Sequence, residues 1–174
     1  MADRHDSDAI YNLAAHDPSV WLGQAQSLKL AAQLHWDEMT KVWASDSMPK
    51  SSRDDLLLAY MNAYMLLTGF AFENLIKGVI ISRASGDHEK SYQEYWKRVN
   101  GHNLTNLIAL TGITLDTPET ELLQRLQTFT FWAGRYFLPS TSNDFYREQE
   151  LVHINGLDKI IVENLFTKLT NCCR

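Results

Sequence analysis

Glu73 and Lys77 stand four residues apart in Ala71-Phe-Glu-Asn-Leu-Ile-Lys-Gly78. On a helix this spacing puts both side chains on one face, in the Glu-before-Lys order that favours an ion pair. The pair falls inside the most apolar stretch of the chain, Leu56 to Ile81, so half-burial is expected. Burial strengthens the attraction, but the cost of taking two charges out of water largely offsets that gain. Gly69 lies one turn before Glu73, and Gly78 follows Lys77 directly. A glycine inside a helix costs about 1 kcal/mol relative to alanine. Two beside one charged pair imply close approach by another helix or by a ligand; a solvated ion pair beside a packing seam is the alternative.

Two further patterns carry polar groups to helix ends. In Gly101-His-Asn-Leu-Thr-Asn-Leu107, Asn103 is placed to cap a helix. His102 beside it can cap the chain or bond back to the preceding helix. It can also help a helix N-terminus hold an anion or a ribose hydroxyl. In Trp132-Ala-Gly-Arg-Tyr-Phe-Leu-Pro139, Arg135 belongs to a last helical turn, where a cation complements the dipole. A planar guanidinium there can equally reach a phosphate or carboxylate in a groove. Tyr136 and Pro139 fix the exit.

Other chemistries lack their residues. The chain has no phosphate loop, dinucleotide fingerprint, His-Glu-x-x-His pair, Cys-x-x-Cys pair or Gly-x-Ser-x-Gly elbow. No two of the six His stand three or four apart, so a metal would need ligands gathered from distant segments. No metal and no cofactor is implied. Cys172 and Cys173 are adjacent near the end. One peptide step is too short for an unstrained disulfide, and Arg174 after them rules out a prenylation box. They read as tail thiols in a reducing compartment.

These groups need elements to hold them. Asp17-Pro18 starts a helix, and Trp21, Ala25, Leu28, Ala32, Trp36, Met39 and Trp43 mark one face of it to about Ala44. A second helix opens at Ser51 or Ser52, with Asp54 and Asp55 in its first turn, and runs to Ala84 before Gly86. Its stripe is Leu57, Met61, Tyr64, Thr68, Ala71, Leu75 and Val79, widened by Leu58, Met65, Phe72 and Ile76, so it should be central. A short, partly exposed helix is expected over 87–100, with Tyr92, Tyr95 and Trp96. Asn103 to Gly112 bound another through Leu104, Leu107, Ile108 and Leu110. Thr117-Pro118-Glu119 starts the next, with Leu122, Leu126, Phe129, Ala133 and Tyr136 in line. Residues 137–155 read as a long loop, and Gly156 to Asn171 as a last helix carrying Leu157, Ile160, Ile161, Leu165 and Leu169.

The expected fold is therefore all-α: an up-and-down antiparallel bundle of four to five main helices over 18–174, preceded by an arm or short helix over 1–17. With 174 residues, one domain is expected. Four Pro and eight Gly fit long regular elements better than a turn-rich β fold. A net charge of −5 argues against coating nucleic acid by bulk charge. The polar N-terminus shows no signal peptide, and Asn62, Thr68, Glu73, Asn74 and Lys77 interrupt the apolar stretch too often for a membrane span. A cytoplasmic location is expected.

Taken in order, the three patterns resemble the HEPN superfamily of small helical domains. The match covers about residues 50 to 140. Ala71-Phe-Glu-Asn-Leu-Ile-Lys77-Gly78 stands for an Ala-x-x-Glu-x-x-x-Lys-Ala-like stretch, shifted by one position and with Gly for Ala. His102-Asn-Leu104-Thr-Asn-Leu107 stands for a His-x-Leu-x-x-Leu stretch, and Arg135-Tyr136-Phe-Leu-Pro139 for an Arg-Tyr-Pro-like exit. The resemblance implies a homodimer and a role in defence or toxin–antitoxin systems, with a nucleotidyltransferase or another protein as partner. Its catalytic members are metal-independent ribonucleases that pair an Arg with a His. Here Arg147-Glu-Gln-Glu-Leu-Val-His153 has the spacing, with Glu148 in place of the usual Asn, Asp or His. The reading adopted is a binding module with Glu73, Lys77, His102, Asn103, Arg135 and Tyr136 as its site. The alternatives are a ribonuclease using Arg147 and His153, with RNA as partner only in that case, and a nucleotide or small-ligand pocket lined by Glu73, Lys77, His102 and Arg135. Exposed aromatics, Tyr92 to Trp96 and Trp132, are expected to form a partner surface or to pack in the core.

Overall fold

A computed structural model describes residues 14–84, 101–136 and 138–173. Most of the expected N-terminal arm and the expected helix at 87–100, with Tyr92, Tyr95 and Trp96, lie outside the described residues. Among the described residues the secondary structure is helical throughout, with no strand. The α-helices are α1 (Pro18–Trp43), α2 (Lys50–Arg83), α3 (Leu104–Thr111), α4 (Thr117–Thr128), α5 (Ser142–Glu148) and α6 (Asp158–Thr170). A π turn, Phe129–Ala133, prolongs α4, and a 3-10 turn, Gln149–Leu151, prolongs α5.

Local chemistry accounts for most boundaries. The Asp17 side chain accepts from Ser19 N at 2.8 Å, with Pro18 in the first turn. Asn103 accepts from Asn106 N at 2.8 Å, and Gly112, at φ 67°, closes α3 in a left-handed conformation that disfavours other residues. Asp116 and Glu119 form a reciprocal capping box at the head of α4. The start of α2 differs from expectation. Pro49 precedes the helix, no side chain caps it, and Asp54 and Asp55 fall beyond the first turn.

The long helices alternate in direction. Trp36 meets Tyr64 (ring centroids 5.1 Å apart), while Gly78 lies against Trp21 and Pro18, so α1 and α2 are antiparallel. Phe166 of α6 meets Phe72, and Cys173, just past the end of α6, reaches Leu75, so α6 runs with α2. Arg125 to Asp158 and Glu119 to Lys168 set α4 against α6 in the opposite sense. The central helix is α2, which touches α1, α3, α4, the π turn and α6. From Tyr64 to Ile80 it is buried nearly all round, as expected. By length and composition it could cross a membrane, but 67% of its most apolar window is buried inside the protein. Leu58 is 54% exposed and does not widen the buried stripe. Likewise Val42, not Trp43, completes the core face of α1; Trp43 sits outside, edge-on to Trp36.

The two glycines inside α2, Gly69 and Gly78, mark close helix packing. A Cβ on Gly69 would stand 2.5 Å from Thr130 Cγ2 and 3.1 Å from Leu126 O, so α4 and its π turn press on α2. A Cβ on Gly78 would meet Trp21 Cβ at 3.2 Å, at the start of α1. The approaching group is another helix in both cases.

Of the expected loop at 137–155, the described residues 138–155 are not structureless. Thr141 caps α5, accepting from Asp144 N at 3.2 Å, and the 3-10 turn follows. No residue of α5 is fully buried, which is why no apolar periodicity announces it. It is held from outside by Trp132, whose ring lies tilted 6.3 Å from that of Phe145 and which donates from Nε1 to Glu148 Oε2 at 2.9 Å. Trp132 is thus 8% exposed, a packed residue. Helix α6 starts at Asp158, two residues after Gly156. Leu157 and Ile160 face outward at 65% and 58% exposure, while Val162, Leu165, Phe166 and Leu169 fill the core.

Candidate functional site

The site grows from Glu73. Its place on α2 is dictated by the helix, whose neighbouring positions Phe72, Leu75 and Ile76 fill the core. Such a position desolvates a carboxylate and requires partners for it. Lys77, one turn on, donates from Nζ to Glu73 Oε1 at 2.7 Å, and both residues are 6% exposed. The other oxygen, Oε2, lies 2.7 Å from His102 Nδ1. The pair is more deeply buried than the half-exposed ion pair anticipated from its spacing.

His102 occupies the approach to α3. Asn103, not His102, is the cap; the helix expected just before His102 lies outside the described residues, and the ring bonds instead to α2. The ring is 47% exposed and rests edge-on to Phe70, 6.0 Å between centroids. Its platform is fixed by Thr105, whose hydroxyl donates to Asn103 Oδ1 at 2.9 Å and whose backbone N–H donates to Gln127 Oε1 of α4 at 3.1 Å. A carboxylate beside an ammonium is ionised and only accepts, so Nδ1 carries the proton. In the neutral ring Nε2 is then left as an acceptor. The arrangement is a carboxylate-oriented imidazole, able to accept a hydrogen bond at Nε2.

Arg135 does not join this group. Its guanidinium donates to Thr130 O at 3.4 Å and to the Tyr136 hydroxyl at 3.2 Å, and it lies over the Tyr136 ring at 5.2 Å. The π turn directs it back on its own exit rather than toward α3, so the expected convergence of Glu73, His102 and Arg135 holds only for the first two. Tyr136 is 57% exposed.

Arg147 and His153 are also apart in their bonding. Arg147 Nη2 lies 2.7 Å from both Asp144 Oδ1 and Glu148 Oε1, and the two carboxylates, Glu148 foremost, raise its pKa further. His153 is exposed and its Nδ1 is 2.8 Å from Glu150 O.

One buried ionic group escaped the sequence reading. Arg125 Nη2 bonds to Asp158 Oδ1 across α4 and α6, with the residues 5% and 0% exposed, and Asp158 Oδ2 accepts from Asn155 N at 3.0 Å. The available signal was a charged residue set between Leu122, Leu123 and Leu126. Burial, and then the Asp158 charge, push the nearby Tyr64 phenol far up, so it stays protonated. Among the described residues no group of three His, Cys, Asp or Glu side chains could hold a metal ion. Compared with protein-family models, curated proteins and solved structures, the chain matches none of them.

Proposed function

We propose that this chain is a HEPN-like helical domain that works by binding, with the His102 ring, set by Glu73 and Lys77, as the centre of its site. The observation that carries this reading is a half-exposed imidazole held by a buried carboxylate, on a platform fixed by α3 and α4. A side chain held in one orientation loses less entropy on engaging a ligand. The chemistry favours a partner group that donates a hydrogen bond to Nε2, such as a hydroxyl or an amide N–H. A role in a defence or toxin–antitoxin pair with a nucleotidyltransferase or another protein follows from the resemblance alone.

The ribonuclease reading is less well supported. Two carboxylates compete with any RNA phosphate for Arg147. The test is RNA incubated with purified protein and a chelator. No cleavage is expected beyond that shared by Arg147→Ala and His153→Ala. Cleavage abolished by either change would overturn the binding reading. A thermal-shift screen with nucleotides tests the site itself. A stabilising compound should lose its effect on His102→Ala, and an unchanged shift in that variant would move the site elsewhere.

A further inference from the structure

Helices α1 and α6 leave an open groove of about 520 Å³ between them, with Gln26, Leu30 and Gln33 on one wall and Thr167, Thr170 and Asn171 on the other. One half of the groove is bridged. Glu163 of α6 takes Lys29 of α1 and Lys159 at 2.6 Å each, and Lys159 also donates to Gln33 Oε1. Gln33 Nε2 donates in turn to Asp37 Oδ1 at 2.6 Å. Two cations and two carboxylates thus satisfy one another, and no net charge is left there to draw in an ion.

The other half is not bridged. The two helices are antiparallel, so Gln26, one turn before Lys29, comes toward Thr167, Thr170 and Asn171, beyond Glu163. Among the described residues the carboxamides of Gln26 and Asn171 have no hydrogen-bond partner. Thr170 Oγ1 is buried without one, which is uncommon for a buried hydroxyl.

We propose that this open end binds a small neutral molecule carrying two amide groups, such as a blocked amino acid. A carboxamide sets a donor and an acceptor side by side, so it can pair with a second amide through two bonds at once. Gln26 and Asn171 offer that edge from opposite walls. Leu30, 67% exposed, gives the apolar part of the ligand a contact. The balanced charges beside it disfavour a phosphate or a carboxylate. A nucleobase would stack on an aromatic ring, but the Phe166 ring is 7% exposed and has Lys29 over it. The volume falls in the range of about 300–1,000 Å³ usual for small-molecule sites. No residue of the groove belongs to the His102 group, so either site can fail without the other.

The test is nitrogen–proton NMR of the full chain titrated with N-acetylalaninamide to millimolar concentration. The side-chain amide signals of Gln26 and Asn171 should shift and saturate. Gln26→Ala and Asn171→Ala should each weaken binding about tenfold. Both side chains are exposed, so helical circular dichroism should not change. His102→Ala, and Gln24→Ala on the exposed side of α1, should leave binding as it is. Acetate and glycerol, which offer charge and hydroxyls instead of amides, should shift neither signal. The absence of a saturable shift would overturn the proposal. So would binding that survives both alanine changes, or acetate or glycerol binding as well as the diamide.

Discussion

Glu73 and Asp158 are both buried carboxylates bonded to a cation, yet their surroundings differ. Asp158 is fully enclosed. Arg125 and the Asn155 backbone take up its two oxygens, and the group joins α4 to α6. Glu73 divides its oxygens between a buried Lys77 and a His102 ring that reaches the surface. The first arrangement holds helices in register and offers nothing to solvent. The second carries the effect of a buried charge to an exposed heterocycle. Burial of an ionic group is thus the same physical event in two roles, and the exposure of the last partner separates them.

Removing one member of the enclosed pair should have the largest effect. Asp158→Ala leaves Arg125 buried without its counter-charge, and stability should fall by about 3–5 kcal/mol in urea unfolding. The double change Arg125→Met with Asp158→Leu should recover most of that loss, since apolar replacements of a buried pair are often neutral. A double variant as unstable as the single one would break the distinction, because the pair would then be more than a charge compensated in place.

Glu73→Gln should cost about 2 kcal/mol by weakening charge-assisted bonds to Lys77 and His102. It should also free the His102 ring, which NMR of the imidazole would register as averaged side-chain couplings. His102→Ala should cost less than about 1 kcal/mol, because the ring is half exposed. The contrast between these two variants sharpens the comparison. If His102→Ala destabilises as much as Asp158→Ala, the ring is a structural bolt rather than a surface-facing group.

The smallest effect concerns a carboxylate at the rim. Burial would raise the pKa of Glu163, but hydrogen bonds from Lys159 and Lys29 outweigh it and hold the group below its ordinary 4.5. A lowered folded-state pKa contributes stability that is present above the unfolded value and lost as pH falls through the folded one. The stability gap between wild type and Glu163→Gln, followed by urea midpoints, should therefore be constant near neutral pH. It should close below about pH 4. A gap that persists in acid would show that Glu163 acts through packing instead.

Helix ends were the most legible feature of this chain. Asp17-Pro18, Asn103 with Gly112, and Thr117-Pro118-Glu119 each specify a boundary from groups a few residues apart, and the helices start or stop there. Helix α5 was hidden because it buries no residue fully and so carries no apolar period. The site was half legible. Glu73 and Lys77 are neighbours by helix geometry alone.

Everything else about the site was decided by packing. His102 reaches Glu73 across 29 residues and Arg125 reaches Asp158 across 33, and no local rule sets such meetings. They depend on the rotation and register of packed helices, which the close contacts at Gly69 and Gly78 help to set. The same packing sends Arg135 back to Tyr136 rather than to His102. By itself the sequence determined that the chain is helical and where most helices begin, because caps and periodicity act within a turn or two. Which polar groups meet, and which are left without a partner between α1 and α6, only the tertiary structure decided, since these follow from many distant side chains filling one core together.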